Sequence, residues 1–302
     1  MTHNTVQPPS SNQPTRRQWL QAATWACAGA SLGLGAGTVQ AQELFDLDKV
    51  RASGALKVAL YKDNAPFSDG KGQDMDGVDV ALAQALASEM GLKLNLLPFD
   101  AGEKMNDDLR NMVWRGHYLG YGPADVMLHV PVDKFLMVAN KQALIFAPYS
   151  RQVLVIFHAL ERLPTVQSGL DLQDLPLVAE RGSGAASTLL GFGGGRLRSQ
   201  VKMFNSGIDA AHAVIKADAA AAYVTRAQAE TALRAAGRPA AGFGLTQLTL
   251  PGLADNGWPI GMAVNAENKK LALALETALQ KLRADGRLLA MYRDRGLTLV
   301  AP

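Results

Sequence analysis

Apolar residues recur along this chain in two alternating patterns, one typical of strands and one typical of helices. Short apolar runs such as Leu56–Tyr61 and Ala124–Leu128 are typical of buried strands, whereas segments such as Asn268–Ala284 carry apolar residues at helical spacing. Strand-like and helix-like segments that alternate in this way predict a mixed α/β fold. The alternation restarts after Leu144–His158, an apolar run that Pro148 interrupts. This run is longer than one strand needs, so it predicts a crossing between two lobes.

The N-terminal segment predicts an export signal rather than part of the fold. Arg16 and Arg17 precede a weakly apolar run, Ala22–Val39, and Ala41 ends a small-x-small cleavage pattern. Paired arginines are typical of the twin-arginine route, so we expect residues 1–41 to direct export to the periplasm. A transmembrane anchor is the alternative, but glycine and alanine dominate the run, and about 20 strongly apolar residues in succession are missing.

Composition limits the kinds of site that the remaining chain can form. The only cysteine, Cys27, lies in the signal, and Thr24 stands where a lipoprotein signal needs a leucine-like residue. We therefore expect no lipid anchor, no disulfide and no thiolate metal site. Lysine and arginine number 30 against 27 acidic residues, a balance that gives no basic field for nucleic acid. We expect a monomer without cofactor or metal, and without stable membrane insertion after the signal is removed.

Six short segments, in order along the chain, match the strand, loop and helix motifs of one known family. They are Gly54–Val58, Asn64–Phe67, Asp76–Ala81, Ala124–Met127, Ile260–Val264 and Leu279–Gly286. Their order and spacing resemble the bacterial extracellular (periplasmic) solute-binding proteins of family 3, and the resemblance covers residues 54 to 298. It implies a type II two-lobed α/β fold with the ligand cleft between the lobes. It also implies capture of a small ligand for the permease of an ABC transporter.

The resemblance also implies how the chain is divided. We expect the signal at residues 1–41, lobe 1 at residues 42–150 plus 250–302, and lobe 2 at residues 151–249.

Open α/β sheets bind ligands beyond the carboxyl ends of their strands, so the residues that follow each predicted strand are candidates for the cleft. The candidate ligand-binding residues are Tyr61, Asp63, Asn64, Phe67, His129, Asp133, Arg181, Ser183, Tyr223 and Trp258. His129 either hydrogen-bonds the ligand, with a pH-sensitive charge, or is a neutral histidine satisfied within the protein. The segment Arg181–Gly184 either holds an anion at a helix start or begins an ordinary helix.

The chain departs from the family where amino-acid ligands are recognised. Relatives that bind α-amino acids hold the ligand carboxylate with an arginine soon after the third strand. Here that region contains Asp133 and Lys134, and a lysine does not reproduce the bidentate fork of arginine. The family's acid for the ligand ammonium falls near Tyr223 or Thr225. We therefore expect a small polar ligand other than a standard α-amino acid.

A second departure is the segment Trp114–Pro123, which is longer and more aromatic than the family turn that it replaces. Because it joins the end of a helix to the start of a strand, we expect it on the face away from the cleft, roughly 17 Å from His129. It is either a plain surface loop or a docking patch for a protein partner, formed by His117, Tyr118 and Tyr121.

The missing amino-acid signature leaves alternative functions open. Solute-binding-like proteins associated with periplasmic PQQ-dependent (quinoprotein) alcohol dehydrogenases share this loss. The chain could accordingly be an accessory or maturation partner of such a dehydrogenase. A dehydratase acting in the cleft is a second alternative, with Asp133 and Arg181 in its chemistry. The chain shows no nucleophile motif and no zinc pattern, so we predict that it is not an enzyme.

Overall fold

The computed structural model describes residues 46–248, 250–252 and 257–302. The predicted twin-arginine signal and Cys27 lie outside these residues. Within them, no helix combines the length and apolar character that crossing a membrane requires.

Helices and strands alternate along the described chain as the periodicity predicts. The helices are α1 (Asp46–Ser53), α2 (Val78–Glu89), α3 (Met105–Leu109), α4 (Lys134–Ala139), α5 (Gly184–Gly195), α6 (Gly207–Ile215), α7 (Arg226–Ala235), α8 (Lys269–Ala284) and α9 (Arg287–Arg293). The strands are β1 (Ala55–Tyr61), β2 (Asp63–Asn64), β3 (Ser68–Lys71), β4 (Asp74–Asp76), β5 (Lys93–Phe99), β6 (Val126–Pro131), β7 (Ala143–Gln152), β8 (Leu154–Ala159), β9 (Leu177–Glu180), β10 (Val201–Phe204), β11 (Ala221–Thr225), β12 (Phe243–Thr246) and β13 (Trp258–Asn265).

Two five-stranded sheets define a first and a second lobe. The first-lobe sheet has the order β5-β1-β6-β13-β7, in which β1 is parallel to β5 and β6 while β13 is antiparallel to β6 and β7. The second-lobe sheet has the order β10-β9-β11-β8-β12, in which β9 is parallel to β10 and β11 while β8 is antiparallel to β11 and β12. The short strands β2, β3 and β4 form a small separate sheet. The mixed α/β class predicted from the sequence is confirmed.

The long apolar run of the sequence forms two strands that belong to different sheets. Strand β7 lies in the first sheet and β8 in the second, and only the buried Val153 separates them. Strand β7 continues through Pro148. The partner strand β13 shifts register between Ile260 and Met262, where a Cβ on Gly261 would lie 3.2 Å from the Cα of Pro148. The glycine therefore allows the close approach that lets β13 pair on both sides of the proline.

Each sheet is covered on both faces, as the near-continuous apolar strands require. On one face of the first sheet, α8 buries the predicted stripe of Leu271, Leu275, Leu279 and Leu282, none more than 2% exposed. Helix α3 ends at Leu109, and a wider π-helical turn continues from it to residue 114.

The C-terminal segment connects the two lobes a further time. The side chain of Glu230 in α7 accepts hydrogen bonds from the backbone N–H of Thr298 at 2.9 Å and from its hydroxyl at 2.7 Å. Arg234, also in α7, donates to the carbonyl oxygen of Asp294 at 2.9 Å. The second lobe is thus held to the end of the chain as well as through the crossing from β7 to β8.

Gly77 allows α2 to begin directly against the loop that carries Phe67. Its φ is +136°, and an added Cβ would overlap the carbonyl oxygen of Phe67. We expect Gly77→Ala to lower the free energy of unfolding by about 3 kcal/mol or more, since backbone strain and overlap add together.

Gly91→Ala is a matched control, because Gly91 also has a positive φ, +69°, but nothing lies within 4 Å of its Cβ position. Its expected loss is only about 1–2 kcal/mol. Denaturant unfolding of both variants measures the difference, and equal losses would contradict the importance of the close approach.

Candidate functional site

Two adjoining cavities occupy the cleft at the carboxyl ends of the parallel strands. The larger, of about 590 Å³, takes residues from both lobes and is called the inter-lobe cavity. The smaller, of about 440 Å³, is lined by first-lobe residues and is called the first-lobe cavity. Asp63, Asn64, Gln152 and Trp258 line both of them. Because these four residues are shared, the two cavities form one continuous candidate site.

The structure brings most of the predicted site residues to this cleft. The first-lobe cavity contains Tyr61 and His129, the inter-lobe cavity contains Arg181, Ser183 and Tyr223, and both contain Asp63, Asn64 and Trp258. The strand-end rule therefore located the lining of the cleft, and contact of these residues with a ligand stays a prediction.

Two predicted residues line neither cavity. Asp133 is exposed and caps the start of α4, where its carboxylate accepts a hydrogen bond from the backbone N–H of Leu136 at 2.9 Å. Phe67 is buried, and its ring packs against the imidazole of His129 with 4.6 Å between ring centroids. Asp133 is thus occupied by a local structural role, and Phe67 supports a cleft residue from behind.

Sequence reasoning missed three carboxylates of the cleft. Asp69 and Glu180 line the inter-lobe cavity, and Asp100 lines the first-lobe cavity. Glu180 ends β9 and Asp100 directly follows β5, so the strand-end rule could have selected both. Asp69 lies in the second strand of the small sheet, beside Asp63, and no signal in the sequence pointed to that pairing.

The described lining of the cleft carries more negative than positive charge. Its carboxylates are those of Asp63, Asp69, Asp100 and Glu180, and its one guanidinium is that of Arg181. Nearby side chains offset part of this excess. The ammonium of Lys62 lies 2.7 Å from a carboxylate oxygen of Asp100, and Gln228 donates to Glu180 at 2.7 Å. The described lining of the first-lobe cavity includes neither lysine nor arginine.

A fully buried acid anchors the histidine of the first-lobe cavity. The Oδ2 atom of Asp79, which is 0% exposed, lies 2.7 Å from Nδ1 of His129. Its Oδ1 atom accepts a hydrogen bond of 2.7 Å from the hydroxyl of Tyr149, and that hydroxyl in turn accepts the backbone N–H of His129 at 3.0 Å. Burial and the adjacent carboxylate of Asp79 raise the pKa of Tyr149 well above its ordinary value, which keeps the phenol a donor.

Tyr61 offers the cleft its ring more than its hydroxyl. The hydroxyl donates to the buried carboxylate of Asp108 at 2.9 Å, and the ring packs against Phe99 with centroids 4.6 Å apart. Burial, followed by the charge of Asp108, raises the pKa of Tyr61 far above its ordinary value. Burial likewise raises the pKa of Asp108. Both groups therefore stay fixed behind the cavity surface.

In the second lobe, Ser183 has the geometry of a helix cap. Its hydroxyl accepts the N–H of Ala186 at 3.1 Å at the start of α5 and donates to the carbonyl of Glu180 at 2.8 Å. Tyr223 is buried, donates to the carbonyl of Leu248 at 3.4 Å, and has a pKa raised by burial. The hydroxyls of both residues are thus committed to the fold, and the exposed Arg181 is the residue of the described second-lobe lining with positive charge to offer.

The three predicted docking residues of the aromatic loop pack against one another. His117 packs against Tyr118 and Tyr121, each with 4.3 Å between ring centroids, and Tyr118 is 86% exposed. Burial, followed by the charge of Asp100, raises the pKa of Tyr121, while Lys62 lowers it. Tyr121 lines neither cavity of the cleft. The loop folds back along α3 and its continuation, since Ala124 donates to the carbonyl of Met112.

Comparison with solved structures identifies the fold. An ancestral cationic amino acid solute-binding protein superposes with a TM-score of 0.65 at 19% identity, over 83% of this chain and 99% of that one. An amino acid ABC transporter substrate-binding protein from Streptococcus pneumoniae, bound to L-arginine, superposes with a TM-score of 0.58 at 18% identity, over 85% of this chain and 100% of that one. An ABC uptake transporter substrate-binding protein from Streptococcus pneumoniae, with bound histidine, superposes with a TM-score of 0.58 at 14% identity, over 85% of this chain and 98% of that one.

This is the two-lobed periplasmic binding-protein fold. The predicted fold class is therefore confirmed, including the cleft between the lobes. No protein-family model matches the chain, and no curated protein matches it. Identities below one fifth leave the ligand of this chain to be argued from its own residues.

The hydrogen bonds around Asp79 make a stability prediction. In Tyr149→Phe, Oδ1 of Asp79 and the N–H of His129 both lose their buried partner, so the free energy of unfolding should fall by about 2 kcal/mol or more. Tyr118→Phe, at an exposed site, should change it by less than about 0.5 kcal/mol. Denaturant unfolding tests both, and a Tyr149→Phe protein as stable as the parent would show that the network contributes little.

Proposed function

We propose that this chain is an exported, periplasmic solute-binding protein that captures a small organic cation in its cleft. The observation that carries the proposal is the surplus of carboxylates over guanidinium in the described lining of the cleft. A charged ligand is held most favourably where opposite charges are already fixed around it. Two of the binding proteins with this fold are described as a cationic amino acid binder and an arginine complex, which agrees with the proposal.

A standard α-amino acid is a poor candidate for the ligand. Such a ligand carries a carboxylate, and the described lining of the first-lobe cavity provides no lysine or arginine to pair with it. Leaving a buried carboxylate unpaired costs several kcal/mol. In the described lining of the inter-lobe cavity, Arg181 alone offers a cation, and it belongs to the opposite lobe. The ligand class that fits is therefore a compact amine without a carboxylate beside its ammonium group.

The proposed role in the cell is delivery of this ligand to an ABC permease. In this fold the lobes close around a ligand by hinge motion, and the crossing from β7 to β8, next to Gln152, is where such a hinge would act. The twin-arginine signal would bring the folded protein to the periplasm, where the permease collects its cargo.

A thermal-shift screen tests the proposed ligand class. Diamines and guanidino compounds should stabilise the protein by about 2.7 kcal/mol at 100 times their dissociation constant, while neutral polyols and dicarboxylates should not. Asp63→Asn should weaken binding of the stabilising compound about tenfold, and Glu267→Gln, at an exposed site beyond the other end of β13, should leave it unchanged. Stabilisation by dicarboxylates, or by no compound at all, would contradict the proposal.

The exposed aromatic loop favours a second candidate function. Tyr118 is 86% and Leu119 67% exposed, and large exposed apolar side chains next to one another are typical of protein docking sites. The alternative is an accessory or maturation partner of a periplasmic PQQ-dependent dehydrogenase that docks on His117, Tyr118 and Tyr121.

Replacing Tyr118 and Tyr121 with serine tests the docking role. If a periplasmic dehydrogenase binds this loop, the double variant should lose about 2 kcal/mol of binding free energy or more, measured by calorimetry or co-purification. Phe135→Ser, at an 87% exposed site on α4, controls for the loss of any exposed aromatic ring. Unchanged dehydrogenase binding by the double variant would exclude the loop as its docking site.

A further inference from the structure

The imidazole of His129 is bonded on one side only. Its Nδ1 atom lies 2.7 Å from the carboxylate of Asp79, and none of the described residues bonds to its Nε2 atom. An ionised carboxylate can only accept, so the proton between them belongs to Nδ1. In the neutral ring, Nε2 then carries the lone pair and is a hydrogen-bond acceptor.

Three contacts fix the orientation of this ring. Phe67 packs on its face at 4.6 Å between centroids, Asp79 holds Nδ1, and Tyr149 holds the backbone N–H of the same residue. His129 also has a φ of +61°, a left-handed conformation that is costly for a residue with a side chain. Residues kept in such conformations by their surroundings cluster at functional sites. The surroundings of His129 therefore fix a conformation that the residue would not adopt by itself.

The groups that share the first-lobe cavity with His129 decide what it can meet there. Asp63 and Asp100 are acceptors, the hydroxyl of Tyr61 is committed to Asp108, and Trp258 offers an aromatic ring. Acceptors on several sides favour a ligand group with several N–H donors and a positive charge. A protonated amine has three such donors on one atom, and an aromatic ring favours it further.

We propose that His129 determines the specificity of the first-lobe cavity: Asp79 fixes its proton on Nδ1, and its Nε2 accepts a hydrogen bond from a protonated amine of the ligand. This assignment rests on the proposed function and adds a residue role and a ligand group to it. Asp79 and Tyr149 act through His129 and are positioning residues.

Nitrogen NMR of the full chain labelled with [¹⁵N]histidine tests the tautomer without any ligand. At about pH 8, where histidine side chains are ordinarily neutral, His129 should show a protonated Nδ1 and an unprotonated Nε2. Free neutral histidine prefers the opposite tautomer, so the expected spectrum is distinctive. A spectrum with the proton on Nε2 would overturn the proposal, whatever the protein binds.

The second step uses 1,4-diaminobutane as the probe. Its addition should shift the Nε2 resonance of His129, and His129→Gln should weaken its binding about tenfold or more in calorimetry. His158→Gln is the matched control, because His158 is also buried but bonds to Leu163 and Thr246 in the second lobe. The affinity of this variant for 1,4-diaminobutane should be unchanged.

The possible failures are distinguishable. If the diamine stabilises the protein but neither the Nε2 resonance nor the His129→Gln affinity changes, the proposed function stands and the role of His129 is wrong. If another compound of the screen binds and the diamine does not, the amine assignment is wrong. If the tautomer is as expected and no cation of the screen binds, the proposed function fails and the specificity role fails with it.

Discussion

The buried carboxylate of Asp79 is the constraint on which the ligand-facing side of the first lobe depends. It lies at the start of α2 and bonds to side chains from β6 and β7, so three elements meet at one polar point inside an apolar core. A buried carboxylate is tolerated only with its partners in place. None of the three elements can shift without leaving a charge unpaired, and the cavity wall is fixed as a result.

The two lobes bring different chemistry to the cleft. In the described residues, the first lobe contributes aromatic rings, the carboxylates of Asp63, Asp69 and Asp100 and the imidazole of His129. The second lobe contributes Glu180 and the only guanidinium, that of Arg181. Many hydroxyls around the site are committed to the fold, as those of Tyr61, Ser183 and Tyr223 are. Under the proposed function, charge and aromatic surface therefore carry recognition more than hydroxyl groups do.

The strand-end rule shows how far the sequence leads and where it stops. It located Tyr61, Asp63, His129 and Arg181 in the cleft, because parallel strands end at one edge of a sheet whatever their partners are. It also selected Asp133, which lines neither cavity, because the residue just before a short helix uses its side chain to cap that helix. The aromatic loop is held through a contact that no periodicity encodes, the hydrogen bond from the N–H of Ala124 to the carbonyl of Met112.

The resemblance to a known family implied the two lobes. The sequence by itself determined the alternation of strands and helices and the apolar stripe of α8. These follow from periodicity, which depends only on neighbouring residues. The tertiary structure alone decided that Asp79 meets His129, since fifty positions separate them along the chain. It also decided that the cleft is acidic, because Asp63, Asp100 and Glu180 come from strand ends that only the fold assembles. Contacts between distant segments depend on packing geometry, and local patterns in the sequence do not specify that geometry.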